Sequence, residues 1–236
     1  MQAANLSGQT DSHIVYDADD CGLHKDVWSA FYDLQNDACD AGFELAIASG
    51  FRDFERQRSI WNAKATGQRE LVDSAGKSLQ LDALTPAELM LAILRWSALP
   101  GASRHHWGTD FDVYDKRAVT ADYRVRLTPD EVGPGGVFAD LHRWLDEQLA
   151  SGNSHGFFRP YRHDSNGIAP EAWHLSYAPI AAECEKQWTA GHISACIHNA
   201  DIALKDTVLQ QFDHIYSRFV QVNAALYPPE YQSLLA

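Results

Sequence analysis

The chain has 236 residues, 45% of them apolar, enough for one sizeable core, and it shows no two comparable halves joined by a linker. Its 19 basic and 32 acidic residues leave a net charge of -13, which opposes docking on a nucleic-acid phosphate backbone or stable insertion at an anionic membrane and favours a small or neutral substrate. Cys21, Cys39, Cys184 and Cys196 form no CxxC pair, which excludes a zinc ribbon and a thioredoxin-like redox motif.

Those cysteines are expected to pack as small hydrophobes, a disulfide being the other arrangement open to them. The first twenty residues lack both the basic start and the apolar run of a secretory leader, and no segment approaches the roughly 20 apolar residues of a membrane span. As written the chain reads as soluble and cytoplasmic, or as periplasmic or secreted if a leader has been removed.

Residues 25–41 place Val27, Phe31, Leu34 and Ala38 at helical spacing, and Gly42 supplies a stop. FELAIAS, residues 43–49, suits a buried strand. Residues 53–67 return to helical spacing through Phe54, Gln57, Ile60 and Trp61. Thr85-Pro86-Ala87-Glu88 combines a capping threonine, a proline preorganised for the first helical position and a glutamate able to reach back, so a helix is expected to run to about Ser97. From Gly108 to Tyr114 small or apolar side chains alternate with acidic ones, as in a strand whose functional face carries Asp110 and Asp112.

The loop Gly133-Pro134-Gly135-Gly136 precedes a helix carrying Phe138, Leu141, Trp144 and Leu145 and closed by Gly152. Strand-like segments follow at residues 155–161 and 172–177. From Pro179 the pattern is helical nearly to the end, with Val208, Phe212, Ile215 and Phe219 on one face. Helices and short strands out of strict alternation argue an α+β fold. Residues 1–180 form the expected functional domain, and 181–236 a helical extension packed on it.

Ser103-Arg104-His105-His106-Trp107-Gly108-Thr109-Asp110-Phe111-Asp112 gathers two imidazoles and two carboxylates where a turn at Gly108 leads into a strand. A catalytic zinc site takes three nitrogen or carboxylate ligands and an open position for water, and His105 and Asp112 can supply two of them. Glu171-Ala172-Trp173-His174 is the best source of the third, because it couples a histidine to a carboxylate at short spacing. Positions three apart point to opposite faces of a strand, so Glu171 is expected just before the strand and His174 within it, letting both reach one water. Arg52, at the end of the strand 43–49, would be an ordinary surface or salt-bridging arginine on its own; beside a metal it can hold a developing oxyanion. The remaining histidines carry no partner pattern.

These segments resemble the VanY-like zinc D-Ala-D-Ala carboxypeptidases, a group that also includes D-Ala-D-Ala dipeptidases and some phage L-alanyl-D-glutamate endolysins. Ser103, His105, Gly108 and Asp112 match an SxHxxGxAxD pattern, Glu171, Trp173 and His174 an ExWH segment, and Arg52 the arginine of an SGYRS-like segment. The resemblance covers about positions 25–180. It implies a small, mainly antiparallel sheet flanked by helices, Zn2+ held by His105, Asp112 and His174, Glu171 as general base and acid, Arg52 as carbonyl polariser, and Ser103 and Gln57 as substrate contacts.

The sequence departs from the pattern in three places. Asp110 stands where alanine is usual, and it is expected to line the site as a substrate contact, to support a ligand, or to compete with Asp112. Phe51 replaces a tyrosine and Ala172 a proline. The implied reaction is hydrolysis beside a D-amino acid, chiefly release of D-alanine from a peptidoglycan stem peptide. L,D-carboxypeptidase, dipeptidase and endolysin activities are alternatives within the group, and a non-catalytic zinc module similar to the Hedgehog signalling domain is an alternative outside it. Glu171 and Arg52 favour an enzyme, since a structural metal site needs neither an open water position nor a base.

Overall fold

The computed structural model describes residues 1–74 and 76–235. A hairpin of β1 (Ile14–Tyr16) and β2 (Gly22–His24) leads into helix α1 (Trp28–Asp40), strand β3 (Leu45–Ser49) and helix α2 (Phe54–Ala65). Helix α3 (Pro86–Leu94) carries the expected capping box between Thr85 and Glu88, but it stops short of Ser97. A turn at Arg104–Trp107 then enters β4 (Asp110–Asp115). Helix α4 (Ala139–Ser151), capped by Gly152 in the left-handed region, precedes β5 (Phe157–Phe158) and β6 (His174–Tyr177).

Beyond β6 the chain is helical, as α5 (Ala178–Gln187), α6 (Ala190–Asn199) and a series of shorter turns rather than a near-continuous run. The hairpin was not legible as strands because β1 is largely exposed and lacks an apolar alternation. The expected strand at 155–161 contracts to two residues, since His155 and Gly156 both adopt positive φ and break the extended path. The four cysteines are free. No helix among the described residues is long and apolar enough to cross a membrane.

The main sheet is antiparallel throughout, in the order β3-β4-β6-β5. Its two faces differ in chemistry because side chains alternate along each strand. Leu45, Phe111, Val113 and Leu175 pack with Trp28, Phe31 and Leu34 of α1 and Leu141 and Leu145 of α4 into one core. The opposite face carries Asp110, Asp112, His174 and Ser176, paired across the β4–β6 ladder as Asp112 with His174 and Asp110 with Ser176.

Register continues on the other side, where Ser49 faces Asp112. An irregularity between Ile47 and Ser49 makes this possible: Ile47 pairs with Val113 on the core side, and the extra residue turns Ser49 onto the polar face.

A second core joins α2 and α3 to the C-terminal helices, bringing Trp61, Met90, Ile93 and Trp107 together with Trp188, Ile193, Ile197, Val208, Phe212, Ile215 and Phe219. The polar face of the sheet lies beside it. Gly108 sits at the junction with φ +67°, its carbonyl accepts from the His24 amide at 2.8 Å, and a Cβ there would lie 2.6 Å from that amide nitrogen. Only glycine permits this left-handed turn and so close an approach of the hairpin.

Candidate metal centre

The turn Arg104–Trp107 and the two central strands bring His105, Asp112 and His174 together, with one candidate ligand atom from each lying within 4.8 Å of the others. His105 Nε2 is 3.5 Å from Asp112 Oδ2, and His174 Nδ1 is 3.2 Å from Asp112 Oδ1. Each imidazole is fixed through its other nitrogen. His105 Nδ1 donates to the Gly50 carbonyl at 2.9 Å, and His174 Nε2 donates to Asp110 Oδ1 at 3.0 Å. Both rings therefore turn their remaining nitrogen toward Asp112, the arrangement of metal-bound histidines held by an outer carbonyl or carboxylate.

Asp112 Oδ1 is buried and has no hydrogen-bond partner, which is costly unless a cation completes it. Two imidazoles and a carboxylate that carries this orphaned oxygen form a three-ligand donor set that fits Zn2+.

Glu171 sits just before β6, with Oε2 3.5 Å from His174 Nδ1. Burial pushes its carboxyl up to about 7, against the opposing pull of His174. Burial also lowers His105, to about 4. For His174 burial acts in the same direction, but the hydrogen bond to Asp110 and the negative charge of Asp110 and Asp112 beside it outweigh burial and raise the imidazole to about 10.

A metal must therefore displace a proton from His174 at neutral pH, whereas His105 is already neutral. Between pH 8 and 9, where Glu171 is ionised, apparent zinc affinity is expected to rise about tenfold per unit. Titration against a competing chelator would read this directly, and a flat profile would contradict the assignment of His174 as the protonated ligand.

Arg52 follows the irregularity in β3. Its guanidinium donates to Ser49 Oγ at 3.1 Å and to Gln57 Oε1 at 2.8 Å, while its backbone carbonyl accepts from His106 Nδ1 at 2.6 Å. His106 is thus a structural neighbour of His105, also accepting from the Gly101 amide at 3.0 Å. Gln57, expected to touch substrate, is fully buried: its Nε2 donates to the Ala98 carbonyl at 2.7 Å and its Oε1 accepts from Arg52, so both ends of the amide are engaged within the protein.

Asp110 likewise departs from the expected substrate contact. It is fully buried behind His174, where Oδ1 also accepts from Arg104 Nε at 2.8 Å and Oδ2 accepts from Thr109 Oγ1 at 2.7 Å. It hydrogen-bonds His174 from behind and is not among the residues that line the cleft.

The centre opens into a cleft of about 1010 Å³ whose lining includes Arg52, Ser103, Glu171 and three residues that sequence reasoning did not single out: Lys64, Arg69 and Tyr161. The Tyr161 ring stands edge-on to His174 at 4.9 Å between centroids. Lys64 donates to Ser97 Oγ at 2.7 Å, and burial lowers its ammonium to about 8. Neither Lys64 nor Arg69 forms an ion pair among the described residues. These positions are scattered along the chain, and only the tertiary fold gathers them.

The model of the VanY D-alanyl-D-alanine carboxypeptidase family matches residues 20–180, more than half of the chain. The chain belongs to this family. Among its relatives is a D-alanyl-D-alanine carboxypeptidase of Enterococcus faecalis, 30% identical over 155 residues, a stretch that is 64% of this chain and 46% of that protein. Two solved VanY structures share the fold at 22% identity. One is VanYB in complex with D-alanine-D-alanine, with a TM-score of 0.52 and coverage of 85% of this chain and 90% of the other. The second is a VanY variant in complex with Zn(II), with a TM-score of 0.50 and coverage of 84% and 92%. The VanY match ends at residue 180, while the second core runs on through Phe219.

Proposed function

We propose that this protein is a zinc D-alanyl-D-alanine carboxypeptidase that removes the terminal D-alanine of peptidoglycan stem peptides. The observation that carries the reading is the convergence of a buried carboxylate raised toward neutrality, Glu171, with two imidazoles that each turn one nitrogen toward Asp112, all opening on the cleft that Arg52 also lines. Membership of the VanY family and the D-alanine-D-alanine and Zn(II) complexes of its relatives support the substrate and the metal.

Zinc held by His105, Asp112 and His174 would supply Lewis acidity and bring the pKa of water near neutrality. Glu171 takes a proton from the attacking water as its oxygen forms a bond to the peptide carbonyl carbon. Arg52, braced by Gln57 and Ser49, donates to the carbonyl oxygen as negative charge collects there. When the C–N bond breaks, Glu171 returns the proton to the leaving amine, so D-alanine departs with a free amino group and the shortened peptide with a carboxylate. Lys64 and Arg69, cations of the same cleft with no ion-pair partner among the described residues, suit the terminal carboxylate that distinguishes a carboxypeptidase substrate. Ser103 lines the cleft beside His105 and completes the set of substrate contacts.

Mass spectrometry of products from D-Ala-D-Ala, a stem tetrapeptide and a stem pentapeptide tests the proposal. The expected result is conversion of the pentapeptide to tetrapeptide and D-alanine, with the dipeptide and tetrapeptide left intact. Cleavage of the tetrapeptide alone would make the enzyme an L,D-carboxypeptidase, and cleavage of the dipeptide alone a dipeptidase; either would overturn the D,D-carboxypeptidase assignment.

A further inference from the structure

Behind His174 the buried polar chain does not end at Asp110. Arg104, itself only 3% exposed, directs Nε to Asp110 Oδ1 at 2.8 Å, Nη1 to Glu185 Oε2, and Nη2 to Ser176 Oγ at 2.9 Å and Tyr227 Oη at 3.1 Å. Its guanidinium also lies over the Trp107 ring, 4.6 Å from the centroid. Glu185 stands on α5, and the segment after the last long helices folds back to meet it: the Val222 amide donates to Oε1 at 3.2 Å and Tyr227 Oη donates to Oε2 at 3.3 Å. The Tyr227 ring is buried against Phe158, with centroids 4.3 Å apart. Both Glu185 and Tyr227 lie outside the span that matches the VanY family.

We propose that Glu185 and Tyr227 of the C-terminal segment are positioning residues for the metal ligand His174, acting through Arg104 and Asp110. The inference rests on the proposed role of His174 as a zinc ligand. A guanidinium alone with one carboxylate tends to pair with it through two parallel N–H···O bonds. Such a grip on Asp110 would compete for the lone pairs that receive Thr109 and His174. Glu185, Ser176 and Tyr227 occupy Nη1 and Nη2 of the fork, so that Nε alone faces Asp110 and Oδ1 keeps a lone pair for His174 Nε2–H. That bond keeps the proton on Nε2 and the Nδ1 lone pair toward the metal side. The C-terminal segment thereby completes the metal site from behind, although none of its atoms faces the cleft.

The test measures zinc affinity of the full chain by competition with a chelator, and thermal stability alongside, for wild type, His174→Ala, Glu185→Gln, Tyr227→Phe, Asp110→Asn and the double variant Glu185→Gln with Asp110→Asn. Losing the direct partner of a ligating histidine typically weakens metal binding 10- to 100-fold, and two bonds further out, beyond Arg104, Glu185→Gln is expected to weaken it about 5-fold. Tyr227→Phe, which keeps the buried ring and loses only the hydroxyl, is expected to follow in the same direction by about 2-fold. In the Asp110→Asn background the Glu185→Gln effect on zinc affinity should vanish, since the pathway is already cut. Wild-type affinity in both Glu185→Gln and Tyr227→Phe, or an undiminished Glu185→Gln effect in the double variant, would overturn the positioning role while leaving the metal site intact. Zinc binding unchanged in His174→Ala would overturn both the positioning role and the metal assignment.

Discussion

Replacing Glu171 by glutamine is expected to lower kcat by about 10³, within the range that a positioned general base contributes, while zinc content stays at the wild-type level. The amide keeps the size and much of the hydrogen-bonding capacity of the carboxyl group but cannot take a proton from water. Burial raises Glu171 to about 7, and its Oε2 lies 3.5 Å from His174 Nδ1, beside the three candidate ligands, which is where the proposed base must stand. The charge of a bound metal favours the carboxylate, so the acid limb of kcat/KM is expected below pH 7. Activity is lost as pH falls through that limb, because protonated Glu171 cannot act as the base. The limb should be absent from the residual activity of Glu171→Gln. Steady-state kinetics across pH, with metal content measured on the same samples, checks both statements, and a zinc-loaded variant with full activity would sink the assignment.

Asp110→Asn is expected to weaken zinc binding by 10- to 100-fold and to destabilise the fold by about 3 kcal/mol. Both effects follow from one buried carboxylate that serves two cations. Through Oδ1 it fixes the tautomer of His174, and it also neutralises Arg104, whose other carboxylate partner is Glu185. Burial alone would raise the Asp110 carboxyl, but Arg104 and His174 hold it well below the usual carboxylate range. In the asparagine variant Arg104 loses one of its two anions in a region closed to water, and His174 loses the partner that raises its basicity. Chelator competition and urea denaturation measure the two effects separately. Wild-type zinc affinity in a folded Asp110→Asn protein would remove Asp110 from the site altogether.

The chemistry of the site was legible in the sequence where it is local. His105 and Asp112 stand seven residues apart across a glycine turn, and that turn and the following strand bring His105 Nε2 within 3.5 Å of Asp112 Oδ2. The pairing of Asp112 with His174 is a matter of register between β4 and β6, to which family spacing points and for which no single segment is sufficient. Asp110 was rightly placed on the face of Asp112, but a period of two cannot distinguish the cleft from the space behind His174. For Gln57 the helical position was legible, and its hydrogen bond to Arg52 was not. Lys64, Arg69, Tyr161 and Arg104 had no signal beyond their residue types, because their roles depend on which elements close around them.

The cations of the cleft matter the more in a chain with a net charge of -13. Overall charge would repel an anionic peptide, so a carboxylate-bearing substrate depends on the local field of Arg52, Lys64 and Arg69.

Anomalous scattering at the zinc edge from crystals of the full chain grown with zinc tests the central claim most directly. The account predicts one strong peak about 2.0–2.2 Å from His105 Nε2, His174 Nδ1 and an Asp112 carboxylate oxygen. A zinc peak elsewhere in the molecule, or none among these three side chains at saturating zinc, would contradict it.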